Sequence, residues 1–80
     1  MKENILAITG PTSGIGRATA LALSKKVDRI VLLVRNLNKG EVLKNEIITH
    51  SAVHVDLIHC DLSELASIEK AAAEMKEKYD

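Results

Sequence analysis

Gly10, Gly14 and Gly16 lie in the stretch Thr9-Gly10-Pro11-Thr12-Ser13-Gly14-Ile15-Gly16, between the apolar run Ile5-Leu6-Ala7-Ile8 and a helical pattern that starts at Ile15. A strand, a glycine-rich turn and then a helix is the geometry that seats a phosphate on a helix N-terminus. The first backbone N–H groups of a helix have no partner within it, and the dipole favours negative charge there. Gly10 suits the tight turn, Gly14 a close backbone approach to a pyrophosphate, and Gly16 close packing of helix on strand. The hydroxyls of Thr12 and Ser13 are suited to ribose or phosphate oxygens. Thr9 supports the turn, and Pro11 has no N–H to donate. The competing reading is a tight turn that needs glycines for its own sake.

The spacing is G-x-x-x-G-x-G, not the G-x-G-x-x-G of ordinary dinucleotide-binding folds. The string TGPTSGIG resembles the TGxxxGxG cofactor signature of the short-chain dehydrogenase/reductase family, and the resemblance runs from Asn4 to about Tyr79. It implies that Gly10, Gly14 and Gly16 border the pyrophosphate and that Ile15 adds a backbone N–H. It also implies that Asp61 accepts from the adenine amino group while Leu62 covers the ring. Asp61 has a second reading as a helix cap, with Glu64 completing a capping box, and the two roles can coexist.

The end of the second strand selects the dinucleotide. An NAD site places Asp or Glu there to accept from the ribose 2′-hydroxyl. This chain has Val34-Arg35-Asn36 at that point, and Asp28 is at the wrong end of the strand. Arg35 is suited to a 2′-phosphate through a two-pronged guanidinium contact. This is similar to the NADP-preferring members of the family, so NADP is the expected cofactor ahead of NAD, with Asn36 beside it. The alternative for Arg35 is a solvated strand-end arginine. Arg17 and Lys39 are more distant candidates. The string VRN-x-x-KGE is similar to that of retinol-dehydrogenase-like reductases.

Other chemistries fit less well. His59-Cys60-Asp61 is a cluster of metal-ligand types, but neighbouring strand residues point to opposite faces and do not converge on one ion. The same geometry works against a Cys60–His59 nucleophile pair. No metal site is expected. The family resemblance implies a catalytic Tyr with a Lys four residues later. Tyr79 is the sole tyrosine of the chain and Asp80 follows it, so no catalytic residue is assigned and no turnover is expected from these 80 residues alone.

These residues need a scaffold, and apolar runs alternate with helical periods. Asn4 to Thr9, Arg29 to Val34 and Val53 to His59 read as strands, and the uninterrupted apolar run of Arg29 to Val34 marks parallel strands buried on both faces. Ile15 to Lys26 reads as a helix with Ile15, Ala18 and Ala22 on one face. Leu37 to Thr49 reads as a second helix with Leu43 and Ile47 inward. A third is capped by Ser63, has Glu64 in its first turn, and carries the stripe Leu65, Ile68, Ala72, Met75 and Tyr79. Met75 and Tyr79 read as core, and the flanking Glu and Lys residues as a solvated face.

The expected fold is α/β: a partial Rossmann-like, doubly wound parallel sheet, βαβαβα, strand order 3-2-1. The first two helices share one face and the third lies on the other. Residues 1–80 would form the N-terminal half of a dinucleotide-binding domain. The far edge of its first strand would be open to self-association or to a missing C-terminal half.

Eleven basic and eleven acidic residues cancel, and with a single aromatic residue nothing favours nucleic acid. No run approaches a membrane span. One cysteine fits a reducing compartment, and cytoplasm is the expected location. The expected function is the NADP(H)-binding segment of an oxidoreductase moving hydride between cofactor and a carbonyl or alcohol. The alternative is a non-catalytic nucleotide-binding or interaction module.

Overall fold

The computed structural model describes residues 3–10 and 14–79. The elements run β1 (Ile5–Thr9), α1 (Gly14–Leu23), β2 (Arg29–Val34), α2 (Leu37–His50), β3 (His54–His59) and α3 (Leu65–Tyr79). The three strands form one parallel sheet in the order β1-β2-β3, which is 3-2-1 read from the other edge.

β2 is central because its side chains are apolar on both faces. Ile30, Val31 and Leu32 are all fully buried. Ile30, Leu32 and Val34 join Ile8, Ala20, Leu43 and Ile47 in one core, the side covered by α1 and α2. Val31 lies in a second core with Ile58, Cys60 and Ala71 beneath α3. Removing one such side chain, as in Leu32→Ala, would cost about 2–5 kcal/mol. On the α3 side Ile5, Ala7 and Thr9 of β1 remain exposed, and among the described residues β1 is paired on one edge only.

Three local expectations need correction. The α1 face bearing Ile15, Ala18 and Ala22 is the outward one, with Ile15 87% exposed. Ala20 is the residue that meets the sheet, followed one turn later by buried Ser24. Small side chains let this helix lie close. The helix also stops at Leu23, not Lys26, because Ser24 Oγ donates to the Leu21 carbonyl at 2.8 Å and Lys26 N–H closes a tight turn on Leu23 O.

The second correction is at α3, which begins at Leu65. Ser63 therefore does not cap it, and Glu64 precedes its first turn. Instead Asp61 to Glu64 forms a turn closed by Glu64 N–H on Asp61 O at 3.0 Å. The third is the α3 stripe. Ala71 is buried and Ala72 exposed, and Leu65 is 70% exposed.

Candidate functional site

Parallel strands put all their C-terminal ends at one pole, so the three loops that follow them meet there. They enclose an open crevice of ≈ 680 Å³, within the range of small-ligand clefts. The first loop contributes Gly10, the second loop and the start of α2 contribute Arg35 to Lys39, and the end of β3 with its loop contributes His59 to Ser63.

Gly10 has φ 61°, the left-handed region in which a side chain is strained. Its turn character, inferred from sequence, therefore has a conformational cause. Thr12 and Ser13 lie outside the described residues. Gly14 opens α1, and a Cβ built there meets nothing within 4 Å among the described residues. Gly14, Ile15 and Gly16 do not line the crevice with the others. Arg17 turns away to α2, where it pairs with Glu46.

β2 delivers Arg35 and α2 begins two residues later. Asn36 is the α2 N-cap, with φ −109°, ψ 106° and a side-chain oxygen that accepts from Lys39 N–H at 3.1 Å. That oxygen is committed to the helix, so the amide N–H groups are what Asn36 can offer a ligand. Leu37 and Asn38 are first-turn residues whose N–H groups have no partner further back in the helix. Arg35 thus stands beside a helix N-terminus, and both favour an anion.

A second glycine fixes how close that helix end comes. Gly40 is buried in α2, and a Cβ there would sit 3.0 Å from Val34 Cγ2 and 3.3 Å from Leu57 Cδ2. The helix-breaking reputation of glycine hides this role in the sequence. Its close approach draws α2 down over β2 and β3.

On the third loop, the hydrogen bond from Cys60 N–H to Val34 O at 2.8 Å carries the β2–β3 pairing past the strand ends. It brings Asp61 up beside Arg35. Asp61 Oδ1 accepts from Ser63 N–H at 3.0 Å and from Ser63 Oγ–H at 2.7 Å, while Asp61 N–H donates to Ser67 Oγ at 2.8 Å. So Asp61 holds the loop and does not cap α3. The Ser63 hydrogen bonds, with the nearby Arg35 and His59 adding, hold its carboxyl below the usual carboxylate range. It is a fixed acceptor. Leu62 beside it is largely exposed.

The crevice therefore unites Gly10, Arg35, Asn36, Asp61 and Leu62. It combines an anion-binding helix end with a guanidinium, an oriented carboxylate and an uncovered apolar side chain. These groups suit a phosphorylated nucleoside. Sequence reasoning did not place His59, Asn38 or Ser63 in this site, although strand register could have pointed to His59.

A family model described as short chain dehydrogenase matches residues 4–80. The chain belongs to the short-chain dehydrogenase family. Human retinol dehydrogenase 13 is 36% identical over 77 residues, which take in 91% of this chain and 22% of that protein. The alcohol dehydrogenase of the archaeon Thermococcus sibiricus, solved in complex with 5-hydroxy-NADP, superposes with a TM-score of 0.85 at 28% identity. That match covers 96% of this chain and 33% of the other. A short-chain dehydrogenase of Sphingobium yanoikuyae in complex with NADPH gives a TM-score of 0.79 at 28% identity, covering 96% and 29%. The chain thus spans about a quarter of the length of the curated family members it matches. No helix among the described residues is long and apolar enough to cross a membrane.

Proposed function

We propose that this chain is the NADP(H)-binding N-terminal portion of an oxidoreductase whose full-length form moves a hydride between NADP(H) and a carbonyl or alcohol. One observation carries the choice of cofactor. Arg35 directly follows β2 at the N-terminus of α2, where an NAD-specific site would hold a carboxylate. Arg35 and the first N–H groups of α2 would take the 2′-phosphate. Asp61 would accept from the adenine amino group and Leu62 would cover the ring. Gly10, Thr12, Ser13, Gly14, Ile15 and Gly16 would border the pyrophosphate. Asn36 would support the ribose phosphate with its amide. The cofactor supplies the hydride chemistry, and these residues bind and orient it. Family members solved with NADP-type cofactors support this reading. The single buried cysteine supports cytoplasm as the compartment.

One observation favours a second reading, association through the open side of β1. β1 pairs on one edge, and Ile5, Ala7 and Thr9 are exposed. Sedimentation of the chain at rising concentration tests it, and a monomer throughout would end it.

The cofactor reading is tested by calorimetric titration of the 80-residue chain with NADPH and separately with NADH. Tighter binding of NADPH is expected. Equal affinity, or tighter NADH, by a folded chain would overturn the proposal.

A further inference from the structure

We infer that His59 is a specificity-determining residue of this site, a second, titratable cation that strengthens selection of the 2′-phosphorylated cofactor as pH falls. The inference rests on the NADP(H) reading above and deepens it. Three observations place the imidazole. In the sheet register His59 is the partner of Val34, the residue before Arg35. It follows Leu57 by two, so both emerge on the α2 side of the sheet. Gly40, in the first turns of α2, straddles Val34 and Leu57. His59 therefore stands about 6–7 Å further along β3 than Leu57, towards the end where α2 begins. It is exposed there and lines the same crevice as Arg35, Asn38 and Lys39.

Among the described residues, the charged groups around it are few. β2 and the start of α2 bring Arg35 and Lys39, and the third loop brings Asp61. Asp61 keeps its full negative charge while it accepts from Ser63, and that charge is shared between Arg35 and His59. A 2′-phosphate carries −1.5 to −2 charges near neutrality. Arg35 offsets one of them. An imidazolium at His59 would offset more and donate an N–H, whereas the neutral ring adds no charge.

The test compares the ratio of NAD+ to NADP+ dissociation constants for the wild type, His59→Gln and His59→Lys, at about pH 5.5 and about pH 8. The titration of the free cofactor's phosphate is common to all three proteins and cancels between them. The wild type should exceed His59→Gln in NADP+ selectivity by about tenfold at the lower pH, the scale of one charge-assisted hydrogen bond. The two should converge at the higher pH. His59→Lys should keep the higher selectivity at both. The position is exposed, and circular dichroism of each variant confirms the fold. Identical selectivity of wild type and His59→Gln at both pH values overturns the role of His59, while a wild-type preference for NADP+ leaves the cofactor reading intact. A wild type without NADP+ preference at either pH overturns the cofactor reading and this inference with it.

Discussion

Arg17 of α1 and Glu46 of α2 clasp each other across the seam between the two helices: Nε donates to Oε1 at 3.1 Å and a terminal guanidinium nitrogen donates to Oε2. Two parallel bonds fix the guanidinium plane more firmly than a single contact would. Arg17 follows directly on the glycine turn, which made it a secondary candidate for cofactor contact. Its pairing turns that candidate into a helix–helix tie.

Arg17→Gln should therefore leave the NADPH/NADH preference unchanged. Both side chains are about a third to a half exposed, so the stability loss should be only about 0.2–1 kcal/mol. Thermal melting and paired titrations read the two effects separately. A collapse of NADPH affinity alone would show that Arg17 leaves Glu46 for the cofactor.

Arg35→Asp should do the opposite. A carboxylate at that position repels a 2′-phosphate and can accept from a free 2′-hydroxyl. Charge-assisted hydrogen bonds are worth about 1.5–3 kcal/mol, so NADPH affinity should fall roughly ten- to a hundredfold while NADH affinity holds or rises. Arg35 is exposed, so the melting temperature should barely move. An unchanged preference would remove Arg35 from the site.

The contrast between these arginines shows what the sequence could carry. β2 was legible to its boundaries, because an apolar run buried on both faces leaves no other solution. The placement of α1 and α2 opposite α3 followed from alternation together with the strand order expected of a doubly wound sheet. The inward face of α1 was not legible, because Ala18, Ala20 and Ala22 are alike in type and only close packing chooses among them. Ala71-Ala72-Ala73 hid the α3 stripe in the same way. Arg35 was legible as a crevice residue because a strand end fixes its position. Arg17 was not, since its partner Glu46 is 29 residues away. His59 was weighed as a metal ligand, and its place in the crevice emerges from the register of β3 on β2.

Gly40→Ala sets two effects against each other. Alanine in a helix interior gains about 1 kcal/mol over glycine. The new Cβ would lie 3.0 Å from Val34 Cγ2, and Val34 is buried and β-branched, so it can give little. Overpacking costs about 1–3 kcal/mol. The balance should be a loss of about 1 kcal/mol, a fall of roughly 4–8 °C in melting temperature for a chain of this size. A rise in melting temperature would mean that α2 can back away from the sheet at no cost.

Tyr79 reports on the opposite pole of the sheet. Its hydroxyl donates to Asp56 Oδ2, which also accepts from Arg29 at 2.8 Å. Burial, followed by the Asp56 hydrogen bond and charge, pushes the phenol up to about 12. A tyrosine in the unfolded chain ionises near 10, so between about pH 10 and 12 the folded state holds a proton that the unfolded state has lost. This contribution is full below pH 10 and fades as pH rises towards 12. Melting curves of wild type and Tyr79→Phe should converge over that range, the wild type being the more stable at neutral pH. Parallel curves would show that the phenol ionises alike in both states.

Gly14→Ala separates binding from folding more cleanly than a change at Gly10. Gly10 has a positive φ, so a side chain there would strain the backbone before any ligand arrived. Gly14 is the first residue of α1, and among the described residues the space around its Cβ position is open. Alanine there should leave the melting temperature within a few degrees of the wild type. If the pyrophosphate lies against the start of α1, the added methyl occupies the space the phosphate oxygens need. NADPH and NADH should then weaken together, by about tenfold or more, since one methyl that prevents a single charge-assisted N–H contact already costs that much. Equal loss for both dinucleotides marks the shared pyrophosphate, whereas a loss confined to NADPH would place the effect at the 2′-phosphate. Full retention of both affinities would move the phosphate site away from this turn.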